Sequence, residues 1–487
     1  MSGLNKLIIG FIAVYILRLI ISLSMGIMPQ DAYYYFYSEH LALSYFDHPP
    51  MIAYFIKLFT SVLGSSDIVV KLTDFMVTLM SYLSFFYLGK IFIPKERLQN
   101  AMLLYGSTIL LTVLSMNTTP DVPLILFWTL SLITLYKSVF EDKLLYWIIS
   151  GVLIGLAFDS KYTALFLIIG LICFLILSKK YRHFLFSKEL FLMLVFFALA
   201  VSPIFIWNIN NDWISFKFQS SERADSIMQF KIKWNYFFGN IATQFILLLP
   251  VLFVGVVTIL FKHIKKVVTK WKLPSDRVLF LLSFSAPIIL FFFAISLIYW
   301  VKLNWMMPAY VSAIILVTIY LKQKWVKHQI IVSLVLHVLL LAQVLFYIVP
   351  IHSDDTWYGW KKLKTEVETL KTEYPDHFIF SRDGYKTTAV LNFYLDEKIY
   401  ARNVIGEHAL QYSIIDNDLK HLDGKSALFI DSDKKVKHIN KSGKTPKVLV
   451  EHFDKIIELD PILIKDKKGK TQRKFYVYEC TNYRSPE

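Results

Sequence analysis

Residues Pro29 to Gly64 read PQDAYYYFYSEHLALSYFDHPPMIAYFIKLFTSVLG. Apolar runs at about 7–28 and 67–89 flank this stretch. A bilayer core about 30 Å thick needs roughly 20 apolar residues in a helix, so both flanks read as membrane spans. The stretch between them is about 36 residues, far more than a turn needs. Ala32 to Tyr45 is rich in Tyr and Phe and has a helix-compatible period. Tyr33, Tyr34, Tyr35, Tyr37 and Tyr45 suit a helix lying in the headgroup layer. Pro49 and Pro50 stop that helix, and Pro50 starts another, because proline is tolerated in a first turn. The segment therefore predicts two short helices along a membrane surface. An aromatic belt explains the tyrosines, but not Asp31, Asp47 and His48 at the bends.

Working outward, the composition agrees. The 487 residues are 55% hydrophobic, 16% aromatic and 18% charged, with a mean hydropathy of +0.49. Soluble domains average about 45–50% apolar and about 25% charged residues, so both values point to a membrane protein. The 40 Phe and 28 Tyr exclude a disordered chain. Two cysteines, Cys173 and Cys480, exclude a disulfide scaffold. Net charge is +15. Residues 1–350 hold 28 Lys+Arg against 15 Asp+Glu, and residues 351–487 hold 24 against 22. The excess cations sit between apolar runs, as in membrane loops, rather than on a soluble face for nucleic acid.

Eleven spans are expected: about 7–28, 67–89, 99–116, 121–140, 144–159, 162–178, 189–207, 237–261, 278–299, 307–321 and 329–350. Lys6 precedes the first, which lacks a small-residue cleavage pattern and reads as an uncleaved anchor. With the N-terminus cytoplasmic, cytoplasmic loops and span ends carry 19 Lys and Arg, and the opposite ones carry 8. The positive-inside rule favours that topology. It places Asp31, Asp47, His48, Asp121, Asp159, Lys161, Arg223, Lys302 and Asn304 on one outer face, together with everything after Ile351. Ionisable groups at membrane depth are costly and usually functional.

The tail, 351–487, reads as a small α/β domain outside the membrane, and 1–350 as a polytopic all-α membrane domain. Helices are expected at Trp360–Tyr374 and Lys386–Leu395. Strands are expected at His377–Phe380, Lys398–Ala401, Ser426–Asp431, Lys447–Val450 and Lys474–Cys480. The tail shows no glycine-rich phosphate loop and no metal-ligand spacing.

Each candidate residue has a structural alternative. Asp31 is a carboxylate at the membrane surface or a helix cap. Asp121, after Pro120, is an acid of the site or a helix start. Lys161 interrupts a long apolar stretch, either paired with Asp159 or bound to a phosphate. Asp47 and His48 are too few for a metal site. Arg223 suits a bidentate phosphate contact or is a loop charge paired with Glu222 or Asp225.

Several motifs then occur in order: Asp31-Ala-Tyr-Tyr-Tyr, Ser44-Tyr-Phe-Asp-His-Pro-Pro-Met51, Thr119-Pro-Asp-Val-Pro123, Ser160-Lys-Tyr-Thr163 and Pro203-Ile-Phe-Ile-Trp-Asn208. This set resembles the polyprenyl-phosphate-sugar-dependent glycosyltransferases of family 39, with the GT-C fold. Relatives are the protein O-mannosyltransferases and the lipid A aminoarabinose transferases. The resemblance covers about residues 5–310. The family has an Asp-Glu pair before the aromatic helix, which here falls on Gln30 and Asp31, so the first acid is missing. The aminoarabinose transferases carry Lys where this chain has His48, whose charge would depend on pH, since histidine titrates near ~6.5. Asp121 matches a second acid of the family, and Lys161 a lysine associated with the lipid phosphate.

The resemblance implies transfer of a sugar from a polyprenyl phosphate, such as undecaprenyl phosphate, to a hydroxyl or phosphate of lipid A, a glycan or a protein. The setting would be the outer face of a bacterial inner membrane. A carboxylate takes the acceptor proton and cations stabilise the leaving phosphate. These roles fall to Asp31, assisted by Asp121, and to Lys161, His48 and Arg223, with Tyr34 and Tyr45 on the donor. Asp47, Lys302 and Asn304 are left for sugar or acceptor. No metal or other cofactor is required, and no nucleic acid is involved. Asp31→Asn should then abolish transfer without harming expression. A lipid-linked-sugar flippase is the rival, and predicts a midplane site and repeated halves. A receptor with anchoring spans leaves the polar outer loops unexplained.

Overall fold

The computed structural model describes residues 3–220, 231–270, 272–351, 353–433, 436 and 438–486. Among them, eight helices are long and apolar enough to cross a membrane: Asn5–Met25, Asp67–Phe92, Asp121–Glu141, Lys188–Asn210, Trp234–Lys270, Asp276–Ile295, Leu303–Tyr320 and Gln323–Phe346. The pair Lys95–Gly106 and Ile109–Met116, bent by 53°, is as long and apolar when the two are taken together. The expected spans at 144–159 and 162–178 are shorter apolar helices, Leu144–Phe158 and Tyr162–Leu177. Every expected span therefore falls on an apolar helix or helix pair, though two of the eleven are short and others are interrupted.

Buried polar side chains repair the breaks. Where the bent pair parts, Arg18 on the first helix is fully buried. It donates from Nη2 to the Gly106 carbonyl at 2.9 Å and the Thr108 carbonyl at 3.3 Å, and from Nε to Thr112 Oγ1 at 3.1 Å. Thr112 Oγ1 in turn lies 2.7 Å from His337 Nε2. In the Trp234–Lys270 helix, Leu249 has φ 67° ahead of Pro250, and Gln329 Nε2 donates to the Leu248 carbonyl at 2.9 Å. Carbonyls released inside hydrocarbon need such donors. Arg18→Leu should lower the thermal stability of the protein in detergent micelles by about 1–3 kcal/mol, the cost of an unsatisfied buried polar group. An unchanged melting temperature would show that the break needs no donor.

The Pro29–Gly64 segment forms the two surface helices, Pro29–Glu39 and Met51–Leu63. The first ends at Glu39, short of the expected Tyr45. The chain turns back after His40, and the Tyr45 ring stacks on Tyr37 at 4.0 Å between centroids. The Tyr45 hydroxyl donates to the Tyr37 carbonyl at 2.9 Å, capping the helix it was expected to extend.

The tail builds a six-stranded sheet in the order β2-β1-β3-β6-β4, with β5 also on β6. The strands are β1 Phe378–Phe380, β2 Ile399–Tyr400, β3 Ala427–Asp433, β4 Phe453–Glu458, β5 Ile462–Lys465 and β6 Thr471–Tyr483. β1 runs parallel to β2 and β3, and β6 runs antiparallel to β3, β4 and β5. The helix Lys386–Tyr394 makes the crossover that parallel β1 and β2 require. Lys447–Val450, expected as a strand, is a short helix opened by Pro446. Its place is taken by β4, because the 13 residues of β6 are long enough to pair with two strands in succession along one edge.

The sheet domain packs on the surface helices. Phe36 stacks on Tyr412 at 4.3 Å, Tyr33 on Tyr385 at 4.4 Å, and Tyr35 meets Phe393 edge-on at 4.9 Å. A tail with nearly balanced charge thus sits over the aromatic helix that lies along the span ends.

Candidate active site

A cavity of about 520 Å³ opens where the surface helices, the span ends and the tail meet. Its wall includes Asp47, His48, Asp121, Lys161, Lys302 and Asn304, together with Tyr34. Residues scattered over 34–304 in sequence are thereby brought to one site.

Asp121 opens the helix Asp121–Glu141 directly after Pro120. Each of its carboxylate oxygens accepts from Lys161 Nζ at 2.9 Å, and Oδ2 also accepts from Asn304 Nδ2 at 2.5 Å. Lys161 is therefore paired with Asp121, not with its neighbour Asp159. Both partners are buried, and Lys161, the one extended residue after the turn that closes Leu144–Phe158, opens the short helix Tyr162–Ala164. Lys302 and Asn304 come from the short turn that leads into Met307–Tyr320.

Asp47 is held by two tyrosines of the first surface helix. The hydroxyls of Tyr33, at 3.2 Å, and Tyr37 both donate to Oδ1. The backbone around it is pinned from both sides. Gln219 Nε2 donates to the Asp47 carbonyl at 2.6 Å, and the Phe46 N–H donates to Gln411 Oε1 at 2.8 Å. Burial raises the Asp47 carboxyl above the ordinary carboxylate range, against the lowering effect of the tyrosine bonds and Lys302. Burial likewise raises the phenols of Tyr33, Tyr34 and Tyr37, which stay protonated donors.

Two expected site residues stand elsewhere, and one is not placed. Tyr45 packs under Tyr37, outside the cavity wall. Asp31 is fully buried behind the cavity. Its Oδ2 accepts Lys71 Nζ at 2.5 Å and the Met28 N–H at 2.7 Å, while Oδ1 accepts the Thr118 N–H at 2.8 Å. Lys71 also donates to the Met116 carbonyl at 2.5 Å, and Thr118 Oγ1 donates to Asp74 Oδ2 at 2.6 Å. Arg223 lies outside the described residues. Gln30, the neighbour of Asp31, does line the cavity, and its Oε1 accepts from Asn117 Nδ2 at 2.6 Å.

Other wall residues include Tyr33, Asn117, Tyr162, Gln219, Trp305, Tyr385 and Leu410. Tyr33 and Tyr162 belong to the quoted motifs and Gln219 lies four residues before Arg223, but Tyr385 and Leu410 have no signal apart from the fold. Apolar residues Val113, Leu114, Phe292, Leu303 and Met307 also line the cavity. Among the described residues, no group of three or more His, Cys, Asp and Glu gathers as a metal site.

Comparison with known proteins bears on the fold. Two crystal structures of ArnT from Cupriavidus metallidurans match along the whole length. The apo form has a TM-score of 0.63 and the form bound to undecaprenyl phosphate 0.62, each at 12% identity over 98% of both chains. The chain has the GT-C fold. The resemblance read from the ordered motifs is thus borne out, and the GT-C architecture covers the tail as well as the spans. A family model described as dolichyl-phosphate-mannose-protein mannosyltransferase matches residues 47–207. That range runs from the Asp47-His48 motif through Lys161, so it holds much of the GT-C cavity. The lipid A galacturonosyltransferase RgtD of Rhizobium johnstonii is 24% identical over 298 residues, 61% of each chain. The chain thus spans about three fifths of the length of that relative. Nothing in these likenesses supports a flippase.

Proposed function

We propose that this protein is an integral-membrane glycosyltransferase that moves a sugar from a polyprenyl-phosphate donor to an acceptor hydroxyl or phosphate at the outer membrane face. The observation that carries this reading is the cavity, in which two carboxylates, two lysines and a histidine meet at the ends of apolar spans beneath a soluble domain. A transporter needs its site near the midplane, whereas these groups gather at one end of the bundle.

The chemistry divides between the walls. In a single displacement, the acceptor oxygen bonds to the anomeric carbon as the bond from that carbon to the lipid phosphate breaks. The electron pair leaves with the phosphate and the proton passes to a carboxylate, with inversion at the carbon. Asp47 suits the proton. Both tyrosine hydroxyls fall on its Oδ1, which leaves Oδ2 clear of them, and its raised affinity for protons makes it a stronger base than an exposed acid. Asp121 is already neutralised by Lys161, so it serves to hold that lysine. Lys161, Lys302 and His48 offset charge on the departing phosphate. Asp31, whose oxygens are occupied, braces the Asn117–Asp121 loop instead. The apolar side of the cavity takes the prenyl chain.

The outer face is assigned from the distribution of Lys and Arg between loops. A lipid acceptor is favoured by the name of RgtD, and a protein acceptor by the description of the family model. The test is incubation of the purified protein with a panel of polyprenyl-phosphate sugars and mass spectrometry of the products. No transfer and no donor hydrolysis with any of them would overturn the reading. With a working donor, the rate should rise with pH through a limb above the ordinary carboxylate range, because Asp47 acts only when deprotonated. An acidic limb unaltered in Asp47→Asn would remove Asp47 from the base role.

A further inference from the structure

The cavity wall carries a charged and an uncharged set of side chains, and Asp47 meets both, since Tyr33 donates to it and Lys302 acts on its charge. One part holds Lys161 on Asp121, with Lys302 and His48. Another part holds Gln30, Asn117, Tyr33, Tyr385 and Leu410, none of them charged. In that second part the Tyr385 ring stacks on Tyr33 with 4.4 Å between centroids and 27° between planes. The Gln30 side chain interacts with the Tyr385 phenol as well as with Asn117. Tyr385 and Leu410 belong to the tail. Leu410 holds φ 52°, a left-handed backbone that leucine adopts at a cost. The next residue, Gln411, accepts the Phe46 N–H. One tail loop is therefore anchored to the motif that carries Asp47 and another to the first surface helix, and both form part of the cavity wall.

We propose that this uncharged wall is the acceptor subsite and that it takes a sugar hydroxyl of a saccharide, not a phosphate. The inference rests on the transferase reading above. Aromatic faces and carboxamides, which both donate and accept, match a hydroxyl-rich ring. A phosphate acceptor calls for Arg, Lys or clustered N–H groups, and this wall offers no cation. Gln30 brings both a donor and an acceptor to that wall. The Tyr33 hydroxyl already donates to Asp47 at 3.2 Å. A saccharide hydroxyl seated against Tyr33 is thus beside the group that takes its proton, while the cations face the leaving lipid phosphate.

The test uses the full-length protein in nanodiscs, with Tyr385→Ala and Tyr385→Phe beside the unaltered chain. Undecaprenyl phosphate is the probe of the donor side, read by thermal shift. Neutral methyl glycosides and the same saccharides bearing a phosphate monoester are the acceptor probes. Transfer to the neutral saccharides is expected. Tyr385→Ala should raise their KM about tenfold, the size of one lost aromatic contact, and leave the undecaprenyl phosphate shift in place. Tyr385→Phe, which keeps the ring, should recover most of that loss and guards against a folding failure of the alanine variant. Transfer confined to phosphorylated acceptors, or an unchanged KM in Tyr385→Ala, overturns the subsite alone. An unaltered chain that neither binds undecaprenyl phosphate nor transfers overturns the transferase reading and the subsite with it.

Discussion

Asp47→Asn should lower sugar transfer by about a thousandfold, the middle of the range that a positioned general base contributes. The substitution is nearly isosteric. The asparagine side-chain oxygen still accepts from Tyr33 and Tyr37, so the loop stays in place and donor binding persists. What disappears is the basic oxygen that receives the acceptor proton. The acidic limb of the pH profile should disappear with it, because the group whose deprotonation sets that limb is gone. Transfer rates from one donor, measured across pH in both proteins, decide the matter. A variant within a few-fold of the unaltered rate would move the base to Asp121. That outcome would require Lys161 to leave Asp121 when donor binds.

Asp31→Asn tests the opposite role. Asp31 and Lys71 form an ion pair whose side chains are 0% and 1% exposed. Removing one charge leaves the buried Lys71 ammonium with the Met116 carbonyl as its hydrogen-bond partner and Asp74 as a neighbouring carboxyl, and breaking such pairs costs about 3–5 kcal/mol. Asp31→Asn should therefore melt well below the unaltered protein in detergent, and any activity loss should follow the loss of folded protein. Adding Lys71→Met should restore much of the stability, since the stranded charge is then gone. The contrary result is equally clear. If Asp31→Asn melts normally and is inactive, Asp31 is the base after all and the buried pair is incidental.

The resemblance placed the base at Asp31, and the helix explains why the cavity holds Gln30 instead. Successive residues on an α-helix point about 100° apart. Gln30 faces the cavity, so Asp31 faces the interior, where Met28, Thr118 and Lys71 use up its oxygens. A motif read along the chain does not show which of two neighbours faces inward. Lys71 gave no signal either, because a lysine near the start of a span reads as a loop charge until its buried partner is seen. The reverse holds for Asp121 and Lys161. Each was legible as a costly charge at membrane depth, and the fold added that they neutralise each other.

The amphipathic logic of the membrane made much of this protein readable without coordinates. Apolar runs long enough for a bilayer marked the spans, their Lys and Arg oriented them, and the polar residues left on one face pointed to one site. The break at Gly106 was not legible, because the donor that allows it, Arg18, is 88 residues away. The tail's share in the cavity was hidden for the same reason. Gln411 meets Phe46 across 365 residues of chain, and Tyr385 reaches Tyr33 because the helix Lys386–Tyr394 packs on Pro29–Glu39. Hydropathy and charge act locally and can be read residue by residue. Which carboxylate faces a cavity, and which distant side chain closes it, depends on contacts that form when the tail and surface helices pack together.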